Sequence, residues 1–348
     1  MLVADHATRP DPIPDRVTPA PAQFRLWRSA AAPATSPLTV DDLLARWLAD
    51  VALAVRPRTA ASYRYVVRVH LAPALGDRPL DELSPSEVQA FLATKSAAGL
   101  APRTVGYLRG VLRQALGYGE RMDLVGRNVA RLARPPRIPR RPVSPLSVEE
   151  ARVSREAIRG DRLEALYLVA LGCGLRQGEI LGLRWRDVDL AAGTHTVRHG
   201  LARLDAVLTL DEPKSATSRR TVPLPGFVAE ALAAHRVRQA AETLPHRPSP
   251  PDPFADLVFT TTLGTPLDGI TVTRRFQQIL RRTGLRHQRF HDLRHACASL
   301  LLTQGVSARV VMETLGHSEI RLTLNTYSHV MPSLGRDAAE RMDGLFAG

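Results

Sequence analysis

A chain of 348 residues, 44% of them hydrophobic, can bury the cores of two ordinary domains. Its formal charge of +13 points to a polyanionic partner, because a basic surface gathers phosphates and releases their counterions. The two cysteines, Cys173 and Cys297, each in an apolar stretch, exclude a disulfide framework and a four-cysteine zinc site, and fit buried free thiols in a reducing cytoplasm.

The N-terminus lacks the layout of a signal peptide, and the longest apolar run, Ala165 to Leu175, is too short to cross a bilayer. Residues 1–37 hold seven prolines and no sustained periodicity, which reads as a disordered arm. Thr39 can cap a helix whose apolar residues include Leu43, Leu44 and Trp47. Helical stretches follow at 59–71, 84–98 and 102–118, with Gly76 and Gly99 in the gaps. Residues 38–126 thus read as a small all-helical domain.

Residues 127–146 carry Arg127, Arg131, Arg134, Arg137, Arg140 and Arg141, several prolines and no acid. A solvated spacer stiffened by proline is the plainer reading. The one-sided charge favours a basic strap that crosses a DNA backbone between two domains. The second domain is expected over 147–331, with helices near 147–159 and 162–172. Alternating segments at His195–Arg198, Ala206–Leu210 and Arg219–Pro223 then predict a three-stranded sheet. Helices return at 226–241, 269–283, 291–304 and 307–315, and an amphipathic tail helix is expected within 332–348. The fold class is therefore mainly α with a small three-stranded β-sheet, in two domains.

Four clusters carry chemistry. Arg176 stands where an apolar helix breaks at Gly172 and Gly174, near helix-terminal N–H groups that favour an anion, although an Arg176–Glu179 pair could merely cap a helix. Lys214 lies in a polar loop between two strands and is one of only two lysines, with Lys95, in an arginine-rich chain. A lysine can release a proton where an arginine cannot, yet a loop lysine is usually just solvated. His291, Arg294 and His295 fall at i, i+3 and i+4, on one helical face. Their spacing is similar to the His-Glu-x-x-His zinc pattern, but Arg294 would set a permanent cation beside the metal and aspartate is shorter than the usual glutamate base. No metal site is expected. Finally, His317 follows a helix stop at Gly316 and Tyr327 comes ten residues later; a capping histidine and a packed aromatic are the plainer readings.

Taken together and in order, these pieces resemble the tyrosine recombinase, or phage integrase, family. The matching motifs are Gly-Leu-Arg-Gln-Gly-Glu at 174–179, Pro-Lys-Ser-Ala-Thr-Ser-Arg-Arg at 213–220, His-Asp-Leu-Arg-His at 291–295, Leu-Gly-His-Ser at 315–318 and Asn-Thr-Tyr-Ser-His-Val at 325–330. The resemblance implies a catalytic set of Arg176, Lys214, His291, Arg294, His317 and Tyr327, with Glu179 orienting an arginine and His295 supporting the set or facing DNA. Arg176 and Arg294 would clamp the non-bridging oxygens, and Tyr327 would form a 3′-phosphotyrosyl bond. Lys214 would protonate the leaving 5′-oxygen, His291 would help take the tyrosine proton and His317 would donate to the phosphate. Neither cofactor nor ATP is implied.

A helical core-binding domain and a catalytic domain would form a C-shaped clamp on double-stranded DNA. Arg58, Arg64, Arg103, Arg109, Arg113, Arg137 and Arg140 are candidate DNA contacts; each could equally be a solvated arginine. The resemblance further implies a monomer that assembles as a tetramer on synapsed DNA, with a tail docked in cis or on a neighbour, and a possible directionality or bending factor. The 37 leading residues are proline-rich and too short for a convincing arm-site-binding domain, which leaves arm-site binding open and makes a simpler recombination site the expectation. The expected role is integration or excision of a mobile element by a cytoplasmic, nucleoid-associated enzyme. The alternatives are an Xer-type dimer-resolving recombinase and an inactive DNA-binding regulator.

Overall fold

The computed structural model describes residues 37–139, 146–204, 207–212, 219–243 and 252–316, with a few positions of the tail between 339 and 346. Helices dominate. The first group comprises α1 (Val40–Ala54), α2 (Pro57–Val66), α3 (Ala72–Leu75), α4 (Pro85–Ala97) and α5 (Pro102–Arg121). Capping boxes start two of them. Thr39 accepts from the Asp42 N–H while Asp42 accepts from Thr39, and Ser84 and Glu87 repeat the exchange at α4. Leu43, Leu44 and Trp47 of α1 pack with Leu108, Val111, Leu112 and Leu116 of α5 in one buried cluster.

Two expectations for this region are corrected. The second helix starts at Pro57, whose fixed φ suits a first turn, rather than at Thr59. It continues through a π turn, Val67–Leu71, into α3. Pro73 accounts for the wider turn: its ring lacks an N–H and crowds the carbonyl four residues earlier, so the ladder loosens just before it. The expected strap also starts later than residue 127. Val129, Ala130 and Ala133 are buried in the first core, and Asn128 Nδ2 donates to the Arg113 carbonyl at 2.7 Å.

The second group contains α6 (Val148–Ala157), α7 (Glu164–Cys173), α8 (Gln177–Leu181), α9 (Gly226–Thr243), α10 (Gly269–Arg282), α11 (Asp292–Thr303) and α12 (Ala308–Leu315). Helix α7 is buried almost all round, as a continuous apolar run requires, and is the spine of this core. Among the described residues five short strands lie between α8 and α9: β1 (Val188–Asp189), β2 (Thr194–Val197), β3 (Gly200–Leu204), β4 (Val207–Asp211) and β5 (Arg220–Pro223). The three-stranded antiparallel sheet has the order β1-β2-β5, and β3-β4 forms a separate hairpin. Its membership thus differs from expectation. The segment near 206–210 pairs with Gly200–Leu204, and the third place is taken by β1, whose two residues are too few to show alternation.

Between the two groups, Arg56 Nη1 donates to the Glu212 carbonyl at 3.3 Å. Among the described residues no helix is long and apolar enough to cross a membrane.

Candidate active site

The site is organised around two left-handed turns. Helix α7 ends at Gly174, with φ 62° and ψ 27°. A Cβ there would lie 2.5 Å from Leu315 Cδ2, so both the backbone and the available space call for glycine. Behind the turn, Cys297 Sγ approaches the Gly172 carbonyl at 3.6 Å. Both cysteines are free and buried, as expected, and burial pushes the Cys297 thiol up to about 12. The second turn is Gly316 (φ 65°), which stops α12; a Cβ there would run into the Arg220 guanidinium.

Arg176 leaves the first turn as the N-cap of α8. Its backbone N–H donates to Glu179 Oε2 at 3.0 Å, Nη1 to Glu179 Oε1 at 2.6 Å, and Nη2 to the Gly316 carbonyl at 3.1 Å. The pairing with Glu179 does cap the helix, and it also holds the guanidinium in the DNA-free protein. The Arg176 side chain remains 40% exposed, so the guanidinium can meet an anion from solvent. Arg294 is 3% exposed and reaches back from α11, with Nη1 donating to the Gly174 carbonyl at 2.7 Å. Of the two arginines expected to act together, Arg294 is thus tied to the Gly174 turn and Arg176, two residues past that turn, to the Gly316 turn.

Glu179 is buried between two guanidiniums, since Arg220 Nη2 donates to its Oε2 at 3.0 Å. Burial alone would raise its pKa. The charge and hydrogen bond of Arg220, joined by Arg176, outweigh that and hold the carboxyl below its ordinary value. Arg220 also donates from Nε to the Thr314 carbonyl at 2.7 Å, joining β5 to the end of α12. Nothing in the sequence reading gave Arg220 a role. A signal was available, because Val222 faces inward and period-two alternation puts residue 220 on the same side.

His291 precedes α11 in helical conformation, and its ring meets that of His295 edge-on, with centroids 5.0 Å apart. The expected common face therefore holds for the two histidines, while Arg294 turns into the interior. His291 is open to solvent on one side. Desolvation on the other, then the charges of His295, Arg294 and Arg289, pushes its pKa down to about 4 against the opposing pull of Asp292. Asp292 is itself held by Arg289, whose Nη2 donates to Oδ1 at 2.8 Å. Lys214, His317 and Tyr327 lie outside the described residues, as does Arg140.

Of the proposed DNA contacts, Arg58 lines a groove of about 740 Å³ together with Arg203 and Arg274 of the second group. Arg64, Arg103, Arg113 and Arg137 are exposed on the first group or just beyond it. Arg109 is turned inward instead, its Nη2 donating to the Arg131 carbonyl at 3.0 Å, so it braces its own unit.

Residues 152–333 match the phage integrase family, and residues 39–96 match that family's N-terminal SAM-like domain. A tyrosine recombinase XerC-like protein of Caldanaerobacter subterraneus subsp. tengcongensis is 30% identical over 327 residues, covering 89% of this chain and 84% of that protein. An integrase of Streptomyces ambofaciens is 31% identical over 318 residues, covering 88% and 80%. Among solved structures, the Tn1549 transposon integrase bound to circular-intermediate DNA superposes with a TM-score of 0.76 at 22% identity, over 88% of this chain and 99% of that one. The chain belongs to the phage integrase family of tyrosine recombinases.

Proposed function

We propose that this enzyme performs site-specific DNA recombination for a mobile element, cutting and rejoining strands through a covalent bond between Tyr327 and a DNA phosphate. The observation that carries the reading is the anchoring of two arginines at the paired turns, Arg294 to the Gly174 carbonyl and Arg176 to the Gly316 carbonyl, with Glu179 and Arg220 bracing Arg176. A phosphodiester resists attack because its oxygens are negative, and two guanidiniums offset the charge that builds as the nucleophile approaches. Tyr327 attacks phosphorus, its phenol proton passing toward His291. Neutral at working pH, His291 can accept it. Lys214 protonates the departing 5′-oxygen and His317 donates to a phosphate oxygen. The phosphotyrosyl bond preserves the energy of the broken linkage, so a partner strand's 5′-hydroxyl reseals the DNA without ATP.

The partner is double-stranded DNA carrying a specific site, in the cytoplasm, bound by a tetramer during strand exchange. The first group of helices and the groove containing Arg58, Arg203 and Arg274 supply the non-catalytic contacts. Resolution of chromosome or plasmid dimers is the second reading, favoured by the likeness to the XerC-like protein.

The test is a nicked suicide duplex carrying the element's own attachment site, incubated with the full chain in chelator. A covalent protein–DNA adduct is expected, and Tyr327→Phe should abolish it while DNA binding persists. An adduct that survives the substitution rejects the mechanism. Recombination between element and chromosomal sites, as opposed to resolution of directly repeated dimer sites, separates the two roles.

A further inference from the structure

His195 is a buried histidine that the mechanism above leaves unused. It sits on β2 with 1% exposure, on the inward side that it shares with Val197. The register pairs His195 with Val222 and Val197 with Arg220, so His195 and Arg220 are diagonal neighbours on one face of the sheet. Among the described residues neither ring nitrogen has a hydrogen-bond partner. An aliphatic side chain would satisfy this position as Val197 and Val222 satisfy theirs, and a buried donor and acceptor left unmade are costly. The charged groups that act on the ring are Arg220, which lowers its proton affinity, and Glu179, which raises it; both belong to the brace behind Arg176.

That brace has a weakness. Glu179 Oε1 receives Arg176 Nη1, from the same guanidinium that must engage the phosphate. When Arg176 turns to the phosphate, a carboxylate oxygen in a nearly dry pocket loses its donor. We infer that His195 is a positioning residue for strand cleavage, the alternate hydrogen-bond partner that takes up Glu179 as Arg176 engages the phosphate. A neutral imidazole suits this task because it offers an N–H to the carboxylate without adding a charge beside Arg220. The DNA-free state holds the unmade bonds, and the phosphate-bound state makes one of them.

The inference rests on the recombinase reading, and three measurements on the full chain separate the two. First, His195→Leu, which removes both unpartnered nitrogens, should raise the midpoint of thermal unfolding. Second, the same variant should form the covalent adduct about ten- to a hundredfold more slowly at saturating DNA, the equivalent of one lost hydrogen bond to a charged group. His195→Gln, which keeps a donor, should recover most of that rate. Third, the chain labelled with 15N-histidine should be titrated with inorganic phosphate. Its His195 imidazole signals, assigned by their loss in His195→Gln, should shift toward a hydrogen-bonded donor, and chloride at equal ionic strength should not reproduce the shift.

A leucine variant that is less stable, with Gln as slow as Leu, makes His195 an ordinary packing residue and overturns the inference. So does an unchanged adduct rate in His195→Leu, or an imidazole unmoved by phosphate. A wild-type chain that forms no adduct rejects the recombinase reading instead; the unfolding and phosphate measurements need no DNA and still decide whether His195 takes up Glu179.

Discussion

Replacing Glu179 by glutamine keeps the size of the side chain and removes its charge. The carboxylate accepts three bonds, two at Oε2 from the Arg176 N–H and Arg220 Nη2, and one at Oε1 from Arg176 Nη1. A glutamine has one acceptor oxygen, so its best orientation keeps the two at Oε2 and turns an NH2 group against the Arg176 guanidinium. One charge-assisted bond, worth roughly 1.5–3 kcal/mol, is lost. The Arg220 pair, with side chains only 8% and 10% exposed, loses its Coulomb partner in a dry setting, whereas the Arg176 pair is screened by solvent on its 40% exposed side. Setting the range for a broken buried pair, roughly 3–5 kcal/mol, against that screening gives about 2–4 kcal/mol of lost stability.

Urea unfolding of the full chain, followed by far-UV circular dichroism, measures that loss at neutral pH. Because folding lowers the carboxyl's pKa, its contribution is present above the unfolded value of 4.5 and disappears as pH falls through the lower folded value, so wild type and variant should converge in acid. Adduct formation should slow by about a hundredfold as Arg176 loses its brace. A Glu179→Gln enzyme with wild-type stability and wild-type cleavage would refute the assignment of Glu179 as the organiser of the arginines.

The remaining expectations concern other parts of the site. Gly174→Ala forces a Cβ to within 2.5 Å of Leu315 at positive φ and should lower stability by about 2–4 kcal/mol by thermal or urea unfolding. Lys214→Ala should slow cleavage of a normal linkage about 10²-fold or more, and a 5′-bridging phosphorothioate, whose sulfur leaves without a proton, should largely restore the rate in single-turnover assays. His291 titrates near 4 when folded against 6.5 unfolded, so the unfolded chain binds more protons between those values and stability falls as pH drops from 6.5 toward 4. In His291→Ala that decline should be shallower across the same window, measured by unfolding at half-unit pH steps.

The helices were readable because their signals are local. Ser84 with Glu87, Ser147 with Glu150, and glycine just past Leu315 mark ends by hydrogen bonds made within a few residues. What lay beyond reach was set by long-range contact. Arg294 looks from its spacing like a member of the histidine face, and only the approach of Gly174 explains why it turns inward. The strap and the helical unit share an arginine-rich composition, so burial of Val129, Ala130 and Ala133, rather than charge, marks where one gives way to the other. Arg220 and His195 were legible in principle from strand alternation, but a four-residue strand gives too little pattern to separate an inward arginine from Arg219 beside it.

The carbonyl end of α12 has a consequence for selectivity between ground and transition states. Arg176, Arg220 and Arg294 bring three positive charges, and Glu179 cancels one. The helix terminus that receives Arg176 and Arg220 contributes about half a negative charge, leaving a surplus of about one and a half. An intact phosphodiester carries a single negative charge and the five-coordinate phosphorus formed by attack carries two. That surplus exceeds the single charge of the intact strand and falls short of the two that follow attack, so its attraction grows as the second charge appears, which lowers the barrier.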